Sequence, residues 1–141
     1  VNIGLDLHGT IDTNPSFFAN FIDKAQENGT FIYIVSGPPI KDIEKTLDEL
    51  SIPIYTPFVL SIVDYLKEKG ALMWKKKNGW WADDEVWWSS KAEICKEYKI
   101  KVLVDDKMEY AEYFTSTEKF ILYNNNIVQA LTLTNYDRSF K

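Results

Sequence analysis

Asp6 and His8 stand two residues apart at the end of the apolar run Val1–Leu7 (VNIGLDL). In an extended backbone, side chains at that spacing point the same way. Gly9 and Thr10 then turn the chain and offer backbone N–H groups, the usual cradle for an anion. Asp105 and Asp106 end another apolar run, Val102–Val104. Beside Asp6 these carboxylates could hold one hard cation, which takes oxygen ligands and keeps several waters. Ser36, followed by Gly37, closes Phe31–Val35 (FIYIV) at the mouth of a helix, where a hydroxyl can donate to a phosphate oxygen. Lys91 could neutralise both the phosphate and the clustered carboxylates. Each residue also has a plainer use. Ser36 and Asp105-Asp106 would serve as helix N-caps, and His8 would cap its turn. Cys95 shares a helical face with Ala92 and Tyr98 and reads as core.

The three runs that carry these residues read as buried strands. Asn14 and Pro15 start a helix whose apolar positions are Phe17, Phe18, Phe21, Ile22 and Ala25, and Asn28-Gly29 stops it. A second helix presents Ile40, Ile43, Leu47 and Leu50 on one face. Ile52–Tyr55 reads as a strand and Val59–Lys69 as a short helix stopped by Gly70. Residues 71–90 read as a small Trp-rich hairpin or flap turning at Asn78-Gly79. Lys91–Tyr98 reads as a helix that begins at the lysine. A helix through Tyr110–Phe114 and a strand at Phe120–Tyr123 follow. The tail from Asn124 is given no element. Strands alternating with helices predict one α/β domain over residues 1–141, a mostly parallel sheet with helices on both faces. Ligands of such sheets bind at the carboxyl ends of the strands, where Asp6, Ser36 and Asp105-Asp106 fall.

The five tryptophans, Trp74, Trp80, Trp81, Trp87 and Trp88, have two readings. They pack the hairpin on the sheet, or they form a lid or platform that stacks on a base or sugar. Lys75-Lys76-Lys77 is a solvated turn, or it draws a phosphorylated ligand to the mouth of the site.

Asp-Leu-His-Gly-Thr-Ile at residues 6–11 resembles the first motif of the haloacid dehalogenase superfamily, Asp-x-Asp-Gly-Thr after a first strand. Ser36 is similar to its second motif, Lys91 to the lysine of its third, and Val-Leu-Val-Asp-Asp at residues 102–106 to its acidic fourth. The order and spacing hold over roughly residues 3–123. The resemblance implies a Rossmann-like three-layer α/β/α core and a Mg²⁺-dependent phosphatase. Asp6 would form an aspartyl-phosphate. The His8 backbone carbonyl would join Asp6 and one or both of Asp105 and Asp106 around Mg²⁺. Ser36 and Lys91 would hold the phosphoryl oxygens. Where family phosphatases carry an acid/base aspartate, this chain has His8, its only histidine. Imidazole, with an ordinary pKa of about 6.5, suits both roles near neutrality. Asp12 is a nearby acid that does not match the family's position. About 54 residues separate Ser36 from Lys91, too few for a large cap domain.

Composition bounds the partners. The 141 residues are 45% hydrophobic and 26% charged, as in globular chains. A net charge of −5 and a pI of about 4.9 disfavour bulk nucleic-acid or anionic-membrane binding. No apolar run approaches the roughly 20 residues of a membrane span, and the polar start predicts no signal peptide. One cysteine precludes an internal disulfide and fits a reducing, cytoplasmic setting. The expectation is therefore a phosphohydrolase acting on a small phosphomonoester, with a nucleotide or sugar phosphate as the guess. The Trp-rich hairpin is a candidate surface for self-association. The alternatives are a weakly active or inactive phosphate- or partner-binding module, and a phosphotransferase.

Overall fold

The computed structural model describes residues 1–54, 56–115 and 118–124. The expected third strand reached Tyr55, which lies outside that set, as does the tail beyond Asn124.

Strand β1 (Asn2–Leu5) opens the chain, and α1 (Pro15–Glu27) follows after a 3₁₀ turn at Ile11–Thr13. Asn14 caps α1 by accepting from the Phe17 N–H, and Pro15 occupies the first turn, where a missing donor costs nothing. Next come β2 (Phe31–Ser36), α2 (Ile40–Glu49), β3 (Val59–Ser61) and α3 (Ile62–Glu68). Strands β4 (Met73–Lys76) and β5 (Gly79–Ala82) form an antiparallel hairpin. The chain continues through α4 (Asp84–Glu97), β6 (Ile100–Asp105), a 3₁₀ segment at Met108–Tyr113 and β7 (Lys119–Leu122).

Five strands form one sheet in the order β3-β2-β1-β6-β7, and every neighbouring pair is parallel. Parallel neighbours need crossovers, so helices lie on both faces. One face packs Leu5, Ile32 and Ile34 against Phe18 and Ile22 of α1 and Ile43 and Leu47 of α2. The other packs Val35, Ile100 and Leu103 against Val63 and Leu66 of α3 and Ile94 and Cys95 of α4. Ile34 and Val35 go to opposite faces because strand side chains alternate. Burial of Cys95 pushes its thiol up to about 12, so it sits in the core as a neutral group. No helix among the described residues is long and apolar enough to cross a membrane.

Four local expectations are corrected. Residues 52–54 are not a strand: Ile52 and Ile54 are buried, but the Ile54 N–H turns back to the Ile52 carbonyl, and Pro53 has no donor for a ladder. The third strand is Val59–Ser61, so the helix placed over Val59–Lys69 starts only at Ile62. The hairpin ends at Ala82, and its turn is Lys77-Asn78, because Lys76 pairs with Gly79. Trp87 and Trp88 therefore belong to α4, whose first turn carries Asp84 and Glu85 at the positive end of the helix dipole. Lys91 consequently lies in the middle of a helix rather than at its start.

The chain leaves β1 toward β2 and β3 on one side and returns to its other side as β6. The order of the sheet reverses between β1 and β6, and the carboxyl ends flanking such a reversal form a crevice. Asp6 follows β1 there, and Asp105 is the last residue of β6.

Candidate active site

The site is built on the ends of these two neighbouring strands. The Asp6 N–H donates to the Val104 carbonyl at 2.9 Å, which locks the first residue after β1 to β6. Carboxylate oxygens of Asp6, Asp105 and Asp106 all lie within 4.8 Å of one another. Lys91 reaches in from α4. Its Nζ donates to Asp6 Oδ1 at 2.8 Å and to Asp105 Oδ2 at 2.5 Å. The Lys91 ammonium also lies 4.5 Å from the centre of the Tyr110 ring, a cation–π distance.

These charges sit out of water. Asp6 is 5% exposed, Lys91 1% and Asp105 0%. Burial drives the Asp6 carboxyl up to about 7, with Asp105 and Asp106 adding to the rise and Lys91 opposing it. Asp105 is also raised, chiefly by burial. Burial works against the Lys91 ammonium, but Asp6 and Asp105 outweigh it and hold the group charged beyond the ordinary lysine range. Among the described residues, these three carboxylates face one ammonium, that of Lys91.

The two aspartates after β6 differ in their free oxygens. Asp105 gives Oδ2 to Lys91 and Oδ1 to the Lys107 N–H at 2.9 Å. Asp106 Oδ1 is buried and has no hydrogen-bond partner among the described residues. An orphaned buried carboxylate oxygen is costly, and a cation between Asp106 and Asp6 would satisfy it. The residues present therefore fit a divalent ion. Gly9 makes room for this arrangement. Its φ is +88°, and a Cβ there would collide with the Asp106 carboxylate.

The remaining predicted residues gather more loosely. Thr10 is buried, and its Oγ1 donates to Asp6 Oδ2 at 3.5 Å. Ser36 is buried at the carboxyl end of β2, the strand beside β1. Gly37 follows it and packs against Trp87. The backbone donors expected to cradle an anion are engaged within the turn. The Gly9 N–H donates to Asp12 Oδ1 at 2.8 Å, and the Thr10 N–H to the Leu7 carbonyl at 3.3 Å. The His8 side chain is 50% exposed, and its Nδ1 lies 3.4 Å from Asp12 Oδ2.

Asp12 thus holds both the turn and the imidazole, a role its sequence position hints at only through the four-residue spacing to His8. Tyr110 lies beside Lys91 and accepts from Trp87 Nε1 at 3.1 Å across 23 residues of sequence, where no spacing rule would reveal it. Comparison of the chain with models of known protein families, with curated proteins and with solved structures finds no match.

Proposed function

We propose that this chain is a Mg²⁺-dependent phosphohydrolase that accepts the phosphoryl group of a small phosphomonoester on Asp6. The observation that carries the reading is the convergence of three carboxylates within 4.8 Å around a buried lysine at the reversal of a parallel sheet. The order of its motifs resembles the haloacid dehalogenase superfamily, whose Rossmann-like core would bring the same residue types together.

Asp6 and Asp106 would hold the ion directly, because Asp105 already gives both oxygens to Lys91 and Lys107. When bound, Mg²⁺ would supply charge neutralisation for the phosphoryl oxygens. The chain's own groups do the rest. An Asp6 oxygen attacks phosphorus, the ester P–O bond breaks, and its electron pair leaves on the alcohol oxygen, which takes up a proton. Water then attacks the aspartyl-phosphate at phosphorus and loses a proton, and the P–O bond to Asp6 breaks to release phosphate. Lys91 and the Ser36 hydroxyl would face the transferring group, a matter of positioning and charge. His8, held from behind by Asp12, is the candidate proton carrier.

The experiment is phosphate release from a panel of sugar phosphates and nucleotides, with Mg²⁺ and with a chelator. Release that needs the metal is expected, and no release from any ester would overturn the reading. One observation favours a second reading, transfer to an acceptor other than water. The His8 imidazole is half exposed and pairs outward with Asp12, so activation of water could be poor. That reading predicts a stoichiometric burst of phosphorylated protein with slow phosphate release.

A further inference from the structure

A groove of about 750 Å³ opens between the Gly37–Pro39 turn with Asp42 on one side and the β4–β5 hairpin on the other. That volume is within the usual range for small-molecule sites. Lys75, Lys76 and Lys77 line it together with Trp80, Trp81 and Trp87, and Asp42 is the one carboxylate among the described lining residues. In a chain of net charge −5 this is a local excess of positive charge.

Trp87, which lines the groove, ties its wall to the carboxylate site along α4. Trp87 lies four residues before Lys91, on the same helical face. Its indole packs against Gly37, the residue after Ser36, and its Nε1 bonds the Tyr110 hydroxyl that neighbours Lys91. Trp81 stacks on Trp87 with centroids 4.4 Å apart and planes at 20°. The Lys76 ammonium lies 5.5 Å from the centre of the Trp81 ring. An indole ring braced from behind with a cation near it is a stacking platform that also recognises anions.

We infer that this groove seats the remainder of the substrate, and that the substrate is a nucleotide carrying a second phosphate besides the one transferred to Asp6. The base stacks on Trp81, the hairpin lysines hold the second phosphate, and the scissile phosphate lies toward Ser36 and Lys91. A sugar monophosphate offers neither the flat base nor the extra charge, and a sugar bisphosphate lacks the base. The inference rests on the reading of Asp6 as phosphoryl acceptor, so its test reads binding and turnover separately.

Binding is measured by calorimetry on full-length Asp6→Asn protein with Mg²⁺, using adenosine 3′,5′-bisphosphate, adenosine 5′-monophosphate and ribose 5-phosphate. Base stacking alone should make the monophosphate about tenfold tighter than ribose 5-phosphate, and the bisphosphate should be tighter again. Trp81→Ala should remove the preference for a base. Because Trp81 also packs on Trp87, a second variant changes only exposed positions: Lys75→Ser, Lys76→Ser and Lys77→Ser together should bring the bisphosphate down to the monophosphate level. Equal binding of the three ligands, or a triple variant that binds the bisphosphate as tightly as its parent, would overturn the inference. If wild-type protein hydrolyses ribose 5-phosphate while the ligands bind equally, the groove is wrong and the phosphatase reading stands. If no ester is hydrolysed while the triple variant weakens bisphosphate binding, the groove stands and the phosphatase reading falls.

Discussion

Lys91 is a charged side chain in the protein interior, held by Asp6 and Asp105. Breaking a buried pair by removing one partner leaves an uncompensated charge, at a cost of about 3–5 kcal/mol. Lys91→Met should therefore lower stability by that amount in urea unfolding, and a loss below about 1 kcal/mol would contradict the burial of both carboxylates. Asp6→Asn should behave differently, because Lys91 keeps Asp105 as a partner. Burial lifts the Asp6 carboxyl to about 7, so its ionised form is disfavoured by the fold and the neutral amide relieves that. The variant should unfold no more easily than wild type near neutral pH, while losing turnover. A marked drop in its urea midpoint would show that ionised Asp6 supports the fold. Gly9→Ala would force a Cβ against Asp106 at a positive φ, so calorimetry should show Mg²⁺ binding lost or sharply weakened, and unchanged affinity would remove Asp106 from the ion's ligands. His8→Ala should slow phosphate release by roughly 10²–10⁴-fold, the range of general acid–base catalysis. Its urea midpoint should hold, because the ring is half exposed. Equal activity would exclude His8 as proton carrier.

The helices position this chemistry through their ends. The residue before α2 is Pro39, which has no side chain able to cap. Asp64 of α3 supplies the acceptor instead, with Oδ2 taking the Ile40 N–H at 3.0 Å. Ser61 accepts from the Asp64 N–H and donates to the Pro38 carbonyl, so one small network ties β3, α3 and the turn after Ser36. Asp64→Ala should cost about 1–2 kcal/mol, as loss of a cap does, and calorimetric unfolding checks it. A change within error would mean that the Ile40 N–H finds water instead. The same network shows what the sequence made legible. Asp6, Ser36 and Asp105-Asp106 could be placed because each closes a run of apolar strand residues. Strand β3 was hidden because Val59, Leu60, Ile62 and Val63 form one apolar run broken only by Ser61. The spacing of Ser61 to Asp64 was the available signal for a helix start. The start of α4 was masked by its tryptophans, although Asp83, Asp84 and Glu85 mark a helix N-terminus. Partnerships set by packing between distant segments, such as Lys91 with Tyr110 and Trp87 with Trp81, leave no local trace.

The parallel sheet organises the chain so that charge collects at one place. Its two faces are apolar, and the buried charged residues among those described, Asp6, Lys91 and Asp105, meet at the carboxyl ends of β1 and β6. Between Ser36 and Lys91 the described residues form α2, β3, α3, the hairpin that borders the groove, and the start of α4. Trp87 is buried, Trp80, Trp81 and Trp88 are partly so, and Trp74 is exposed. The account stands or falls on whether Asp6 itself becomes phosphorylated. The most direct measurement is to mix the protein with Mg²⁺ and the phosphomonoester that gives the most phosphate release, quench during the reaction, and reduce with borohydride. An aspartyl-phosphate is converted by this treatment to homoserine, and peptide mass spectrometry locates it. Homoserine is expected at position 6, dependent on both substrate and Mg²⁺. Sustained phosphate release with unmodified Asp6, or with homoserine at another aspartate, would contradict it.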